Sequence, residues 1–166
     1  IATANTRDKG VNEMSAALKR RFNFETVFPI LDHQAELRLV REEATRLLQK
    51  SGVPVAPSED VLDLLVTTFR ELRAGATEDG TGMERLSSVM STAEAVTVAH
   101  AVGVRGWFLR GGAGTPADLV EALAGTAAKD DAEDLRKIRR YLEQRAPKKK
   151  GPHWEAYHAA RGLLPG

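Results

Sequence analysis

Three polar side chains near the start of the chain are of types suited to work on a phosphate group. Asn5 closes a short apolar-to-polar run, and Arg20 and Arg21 stand directly before Phe22. A carboxamide at the end of a strand can hold a water molecule or a phosphate oxygen by hydrogen bonding, and a guanidinium matches the geometry of phosphate. Taken alone, Asn5 is explained as the cap of a turn, and the two arginines as a basic helix end stabilised by the helix dipole.

The sequence lacks the motifs that would grip a nucleotide. No G-x-x-x-x-G-K-[ST] phosphate loop occurs, and no apolar strand ends in Asp-Glu to hold Mg²⁺. The first residues have the pattern of a core strand, so we expect the chain to be the C-terminal piece of a larger protein.

Composition favours an ordinary globular chain. Of 166 residues, 42% are hydrophobic and 28% charged, and no apolar stretch is long enough to cross a bilayer. Without a signal peptide pattern, the cytoplasm is the default location. The absence of cysteine excludes disulfides and thiolate metal sites, and the four histidines have no metal-ligand spacing. Residues 131–166 carry nine Lys/Arg against five Asp/Glu, which makes this segment mildly basic.

The chain beyond residue 31 is predicted to be almost entirely helical. Aspartate, serine and threonine stand where they can cap helix N-termini, and glycines or prolines separate the segments. The predicted helices cover residues 32–50, 58–73, 91–102, 115–125 and 131–145.

The remaining segments are predicted as connections. Glycines between residues 103 and 114 predict a loop that carries Trp107 and Phe108. Such a pair usually plugs a small core beneath the loop, and the alternative, beside Arg105 and Arg110, is a partner contact. Residues 147–152 are predicted as a linker, and the residues after them as a short, weakly ordered tail.

The opening segment and the helix order together resemble the second half of an AAA+ ATPase core with its helical lid. The group concerned holds the MoxR-type and the dynein-related (McrB-type) ATPases. In that family a strand-ending A-T-x-N carries the polar "sensor 1" residue, which Asn5 matches. An L-x-R-F segment carries the arginine finger, and LKRRF at residues 18–22 is similar but one residue longer. Family position points to Arg21 as the finger, with Arg20 as the alternate.

The resemblance implies a mainly α chain with three parts. Residues 1–31 would be the end of an α/β core, with the sensor 1 strand and the arginine-finger helix. Residues 32–130 would be the all-α lid, where the capped Ser-Thr-Ala-Glu-Ala helix and the T-P-x-D start look like the MoxR-type pattern. Residues 131–166 would be a C-terminal helix and basic tail.

The resemblance also implies ATP hydrolysis by the full-length protein. ATP and Mg²⁺ would be bound mainly by an N-terminal half that is not in this chain, so the chain alone should be inactive. Identical subunits would form a hexameric ring that remodels a partner protein. Partners with von Willebrand A domains are typical of MoxR-type members.

One family element is missing, and a second interpretation stays open. MoxR-type proteins carry a "sensor 2" arginine early in the helix that matches residues 91–95, and this sequence has none there. Either sensor 2 is absent or another residue serves; in the second case Arg85, the nearest basic residue, is assigned, with Asn5, to nucleotide binding. The alternative function is a non-enzymatic helical adaptor or nucleic-acid-associated module, in which the lid surface is kept and the basic C-terminal segment docks a partner or nucleic acid.

Overall fold

The structure is a computed structural model that describes residues 29–87, 90–128 and 131–165, with five isolated residues before them (Ser15, Ala17, Arg20, Arg21 and Asn23). In these ranges the α-helices are α1 (His33–Lys50), α2 (Glu59–Ala74), α3 (Thr92–Arg110), α4 (Pro116–Leu123), α5 (Ala132–Gln144) and α6 (Pro152–Ala159). A π-helical turn, Ala124–Ala128, follows α4, and 3-10 turns at Ala146–Lys148 and Ala160–Leu163 flank α6. The predicted mainly helical class is confirmed, whereas the predicted core remnant lies almost wholly outside the described residues.

The predicted helix starts are confirmed by their capping hydrogen bonds. The Asp32 carboxylate accepts from the Ala35 amide at 2.6 Å at the start of α1. At α3 the capping box is complete, because the Ser91 hydroxyl accepts from the Glu94 amide and the Glu94 carboxylate accepts from the Ser91 amide. Each such cap stabilises its helix by about 1 kcal/mol. Glu94 is therefore accounted for as a capping acid, as the sequence indicated.

A single hydrophobic core joins all six helices. Helix α2 is its centre, since most of that helix is buried and α1, α3, α4 and α6 contact it. Fully buried side chains from every helix meet in this core; examples are Val40, Leu65, Phe69, Val98, Leu119, Leu142 and Tyr157. Burial of each large apolar side chain stabilises the fold by roughly 1.5–3 kcal/mol.

Helix α3 is eight residues longer than predicted, and the glycines at residues 103 and 106 lie inside it. A Cβ atom on Gly103 would lie 2.6 Å from a methyl of Leu48, and one on Gly106 would lie 2.4 Å from the Gly114 amide nitrogen. These glycines permit close packing rather than a turn. The helix ends at Arg110 and is capped by Gly111, whose φ of 69° is the left-handed conformation common at helix C-termini.

The packing around Gly106 predicts a stability effect of Gly106→Ala that is opposite in sign to the effect of helix propensity. From helix propensity alone, Gly106→Ala would stabilise α3 by about 1 kcal/mol. Because the new methyl would meet backbone atoms, we expect destabilisation by about 1–3 kcal/mol instead. Urea unfolding measures the difference. Gly125→Ala is the control, since no atom lies within 4 Å of its added Cβ; equal effects of the two changes would refute the packing argument.

The predicted core plug at Trp107 and Phe108 is wrong for Phe108. Because α3 continues through this region, Phe108 and Leu109 lie on its last turn and are 64% and 67% exposed. Because the sequence predicts that this helix ends at residue 102, it gives no basis for placing Phe108 on an exposed helix face.

The predicted linker and weakly ordered tail are also wrong. Residues 152–159 form α6, and its Trp154 and Tyr157 are buried. Lys149, from the predicted linker, lies with its Nζ 2.8 Å from a carboxylate oxygen of buried Glu71 and 5.0 Å from the centre of the Trp154 ring. The segment therefore folds back onto α2. The division of the chain at residue 131 stays a prediction.

Candidate functional site

The residues predicted for the arginine finger are exposed. Arg20 and Arg21 occupy a turn with solvent-accessible side chains. Exposure is what a guanidinium needs if it is to reach a nucleotide held by a neighbouring subunit. Asn5, the predicted sensor 1 residue, lies outside the described residues. The catalytic roles of all three stay predictions.

Arg85, the predicted sensor 2 substitute, lies in the loop before α3 and closes the end of α2. Its Nε donates to the carbonyl of Ala74 at 2.9 Å. Its side chain also packs over Gly75, where an added Cβ would lie 2.6 Å from Arg85 Cγ. These contacts explain a local structural role. A contact with nucleotide stays a prediction.

Among the described residues, a network of hydrogen bonds and ion pairs centres on the buried side chain of Glu36. We name Glu36, Arg70, Arg73 and Thr92 the Glu36 cluster. Glu36 is fully buried, and Arg73 Nη2 donates to both of its carboxylate oxygens, at 2.8 and 3.1 Å. The Thr92 hydroxyl donates at 2.8 Å, and Arg70 Nη1 at 3.3 Å. Charge-assisted hydrogen bonds of this kind make a buried carboxylate tolerable.

Local structure brings these side chains together. Glu36 lies in the first turn of α1, where a carboxylate is favoured by the helix dipole. Arg70 and Arg73 are three residues apart on α2 and so share one face of that helix. Thr92 is the first residue of α3. The cluster therefore forms where the three helices meet.

The cluster also holds the backbone on two sides. Arg70 Nη2 donates to the carbonyl of Leu31 at 2.7 Å, and Arg70 Nη1 to that of Ile30 at 3.4 Å. Arg73 Nη1 donates to the carbonyl of Met90 at 2.9 Å, just before the α3 capping box. The residues that lead into α1 are thus tied to the start of α3.

Two guanidinium groups share one carboxylate within the cluster, which leaves one positive charge in excess. The side chains of Arg70 and Arg73 are 26% and 18% exposed. Protein acceptors engage both groups, so the arrangement acts as a joint between segments rather than as an open anion site. It lies at the start of α3, where the sequence resemblance places the missing sensor 2 arginine.

Sequence reasoning missed this cluster, although a signal for it exists. Glu36 extends the buried stripe of α1 formed by Val40, Ala44 and Leu48, at spacings of four residues. A glutamate in register with a buried stripe requires a cationic partner. The sequence does not show which of the 24 Lys/Arg residues supplies it.

A second joint links α3 to α4. Asp118 is fully buried, and Arg110 Nη2 lies 3.1 Å from its Oδ1. Arg105 Nη2 donates to Glu121 at 2.6 Å. The Thr115 hydroxyl donates to the other Asp118 oxygen at 2.7 Å, which completes the start of α4. These contacts fix two helices. Arg105 Nε and Asp118 Oδ1 are buried 3.9 Å apart, and neither atom makes a hydrogen bond.

Part of the charge of the basic C-terminal segment is paired with carboxylates, as at Arg136, Lys137, Arg140 and Lys149. A groove of about 380 Å³ between α5 and the loop at residues 82–84 is lined by Lys137, Arg140 and Arg145. Arg140 lies 3.1 Å from Glu84, and Lys137 lies 3.5 Å from Asp134. Exposed, unpaired lysines and arginines are the usual footprint of a nucleic-acid site. Internal pairing weakens that interpretation of the segment.

The described ranges contain no group of three or more His, Cys, Asp or Glu residues that could hold a metal ion. Mg²⁺ binding is expected mainly from groups outside this chain, and that expectation stays untested. Within the same ranges, no helix has both the length and the apolar character needed to cross a membrane.

Comparison with known proteins places the chain in a family. The profile described as "YehL-like AAA+ ATPase C-terminal domain" matches residues 34–164. The chain is 62% identical over 165 residues to "Uncharacterized protein YehL" of Escherichia coli (strain K12), which covers 99% of this chain but 45% of that relative. No solved structure matches significantly. The chain therefore belongs to the YehL-like AAA+ ATPase C-terminal domain family.

Proposed function

We propose that this chain is the C-terminal part of an AAA+ subunit that couples ATP binding and hydrolysis to the remodelling of a partner protein. The family match over residues 34–164 carries the proposal. The chain spans less than half the length of its relative, so the activity proposed here is that of a longer protein. ATP and Mg²⁺ would be held mainly by the N-terminal half of that protein.

In this proposal two parts of the chain act on nucleotide. Asn5 would orient the attacking water within its own subunit, and Arg21, or alternatively Arg20, would reach the nucleotide of the next subunit. The exposure of both arginines supports this assignment. Further parts of the proposal are MoxR/McrB-type kinship, a hexameric ring in the cytoplasm and a von Willebrand A-domain partner.

The test compares the full-length protein with the 166-residue chain. We expect the full-length protein to hydrolyse Mg²⁺-ATP and to form larger oligomers when ATP is added. The 166-residue chain should show no hydrolysis above background, because it has no phosphate loop. Phosphate release and light scattering after size-exclusion chromatography measure the two properties.

Two results would contradict the proposal. Hydrolysis by the 166-residue chain would mean that it holds its own nucleotide site. A full-length protein that neither hydrolyses ATP nor changes its oligomeric state with ATP would support the adaptor alternative. Binding of that protein to generic duplex DNA, weakened by salt, would favour its nucleic-acid version.

A further inference from the structure

We propose that Arg70 is a positioning residue for ATP turnover, which holds the residues leading into α1 against the start of α3. This inference rests on the proposed function. It starts from the two carbonyls that Arg70 binds, those of Ile30 and Leu31, which precede the first described helix. Arg70 bridges them to Glu36, whose other partners fix the start of α3.

The geometry makes Arg70 a joint that arginine alone can form. Its planar group presents Nη1 to Glu36 and Ile30 and Nη2 to Leu31, at 3.3, 3.4 and 2.7 Å. A lysine ammonium is a single point charge and cannot span those acceptors in the same way. Replacement by lysine therefore keeps the charge beside Glu36 and removes the grip on the backbone.

Arg70 can be removed without orphaning the buried carboxylate. Glu36 would keep both bonds from Arg73 and the bond from Thr92. The fold should accordingly survive changes at Arg70. Leu31 is 84% exposed beside the joint, so its carbonyl is held by Arg70 while its side chain remains accessible to whatever precedes the helical domain.

A rigid connection at this point would pass a rotation of the helical domain to the preceding residues. In the proposed ATPase, those residues lead to the nucleotide-binding half. Misplacement of catalytic groups by about 1 Å can lower turnover by roughly 10²-fold. Loss of the joint should thus slow hydrolysis more than it weakens ATP binding.

The experiment uses the full-length protein with Arg70→Lys and Arg70→Ala. We expect kcat for ATP hydrolysis to fall by about 10- to 100-fold in both, with KM for ATP changed less than about threefold. Arg41→Ala is the matched control, since Arg41 pairs with Glu59 between α1 and α2 at the surface. It should leave kcat within about twofold.

A second measurement reads the joint directly. Hydrogen exchange of the Ala35 and Glu36 amides, which donate to Asp32 in the first turn of α1, should be about tenfold faster in Arg70→Lys than in the wild type, with or without ATP. Wild-type kcat in Arg70→Lys, or unchanged exchange in this segment, would overturn the positioning role. A wild-type protein without ATPase activity would overturn the proposed function and this role with it, and the exchange result would then show whether the joint exists at all.

Discussion

Arg21→Ala in the full-length protein is expected to lower ATP turnover by about 10³-fold or more. Arginine fingers in other phosphoryl-transfer enzymes contribute roughly 10³- to 10⁵-fold, because they neutralise charge that spreads over the phosphoryl oxygens in the transition state. Arg21 is exposed, so its loss should leave the helical domain folded. The measurement is steady-state phosphate release at saturating Mg²⁺-ATP.

Mixing experiments test whether Arg21 acts across a subunit boundary. Arg21→Ala subunits would keep an intact nucleotide site, and subunits disabled in their phosphate loop would keep an intact finger. Rings that contain both should recover activity that neither variant has alone. Recovery would not occur if Arg21 acted on nucleotide in its own subunit.

Arg20→Ala separates the two adjacent arginines. If Arg21 is the finger, Arg20→Ala should change turnover by less than about tenfold, as expected for an exposed charge near the site. A large loss in Arg20→Ala with normal turnover in Arg21→Ala would assign the finger to Arg20. Normal turnover in both would remove the pair from the mechanism.

Local signals predicted most of the helix starts in this domain. The boxes at Ser91–Glu94 and Thr115–Asp118 each need residues three apart, so the sequence alone shows both partners. The predicted end of α3 is wrong because the contacts that decide it are not local. Gly103 is explained by Leu48, which lies on another helix, and no local pattern indicates that contact.

The candidate site depended even more on distant contacts. Glu36 and Arg73 are 37 positions apart, and Lys149 reaches Glu71 across 78 positions. The sequence shows a glutamate in a buried stripe, Glu36, and a lysine near a tryptophan, Lys149. It does not show that Arg73 and Glu71 are their ion-pair partners. The sequence predicts residues 147–165 as linker and tail because the residues that bury them are distant in the chain. Tyr157, for example, is hydrogen-bonded to Thr68 on α2, 89 positions away.

Glu36→Ala is expected to destabilise the helical domain by about 3–5 kcal/mol. Removal of one member of a buried ion pair leaves its partner charged and without compensation, and here two partly buried guanidinium groups lose their shared carboxylate. For a domain of this size, each kcal/mol lowers the melting temperature by roughly 2–4 °C. Thermal and urea unfolding of the 166-residue chain measure the loss.

Glu43→Ala is the matched control, because it makes the same change on the same helix. Glu43 pairs with Arg46 at the surface, and the Glu43 side chain is 39% exposed, so about 0–1 kcal/mol should be lost. Glu36→Gln keeps the shape of the side chain and removes its charge, and it should fall between the two alanine variants. If Glu36→Ala unfolds the domain outright, Glu36→Gln still measures the electrostatic part. Equal stability of Glu36→Gln and Glu43→Ala would contradict the buried cluster. Loss of a buried charge that stabilises three helix ends should lower the free energy of unfolding more than loss of a charge that faces water.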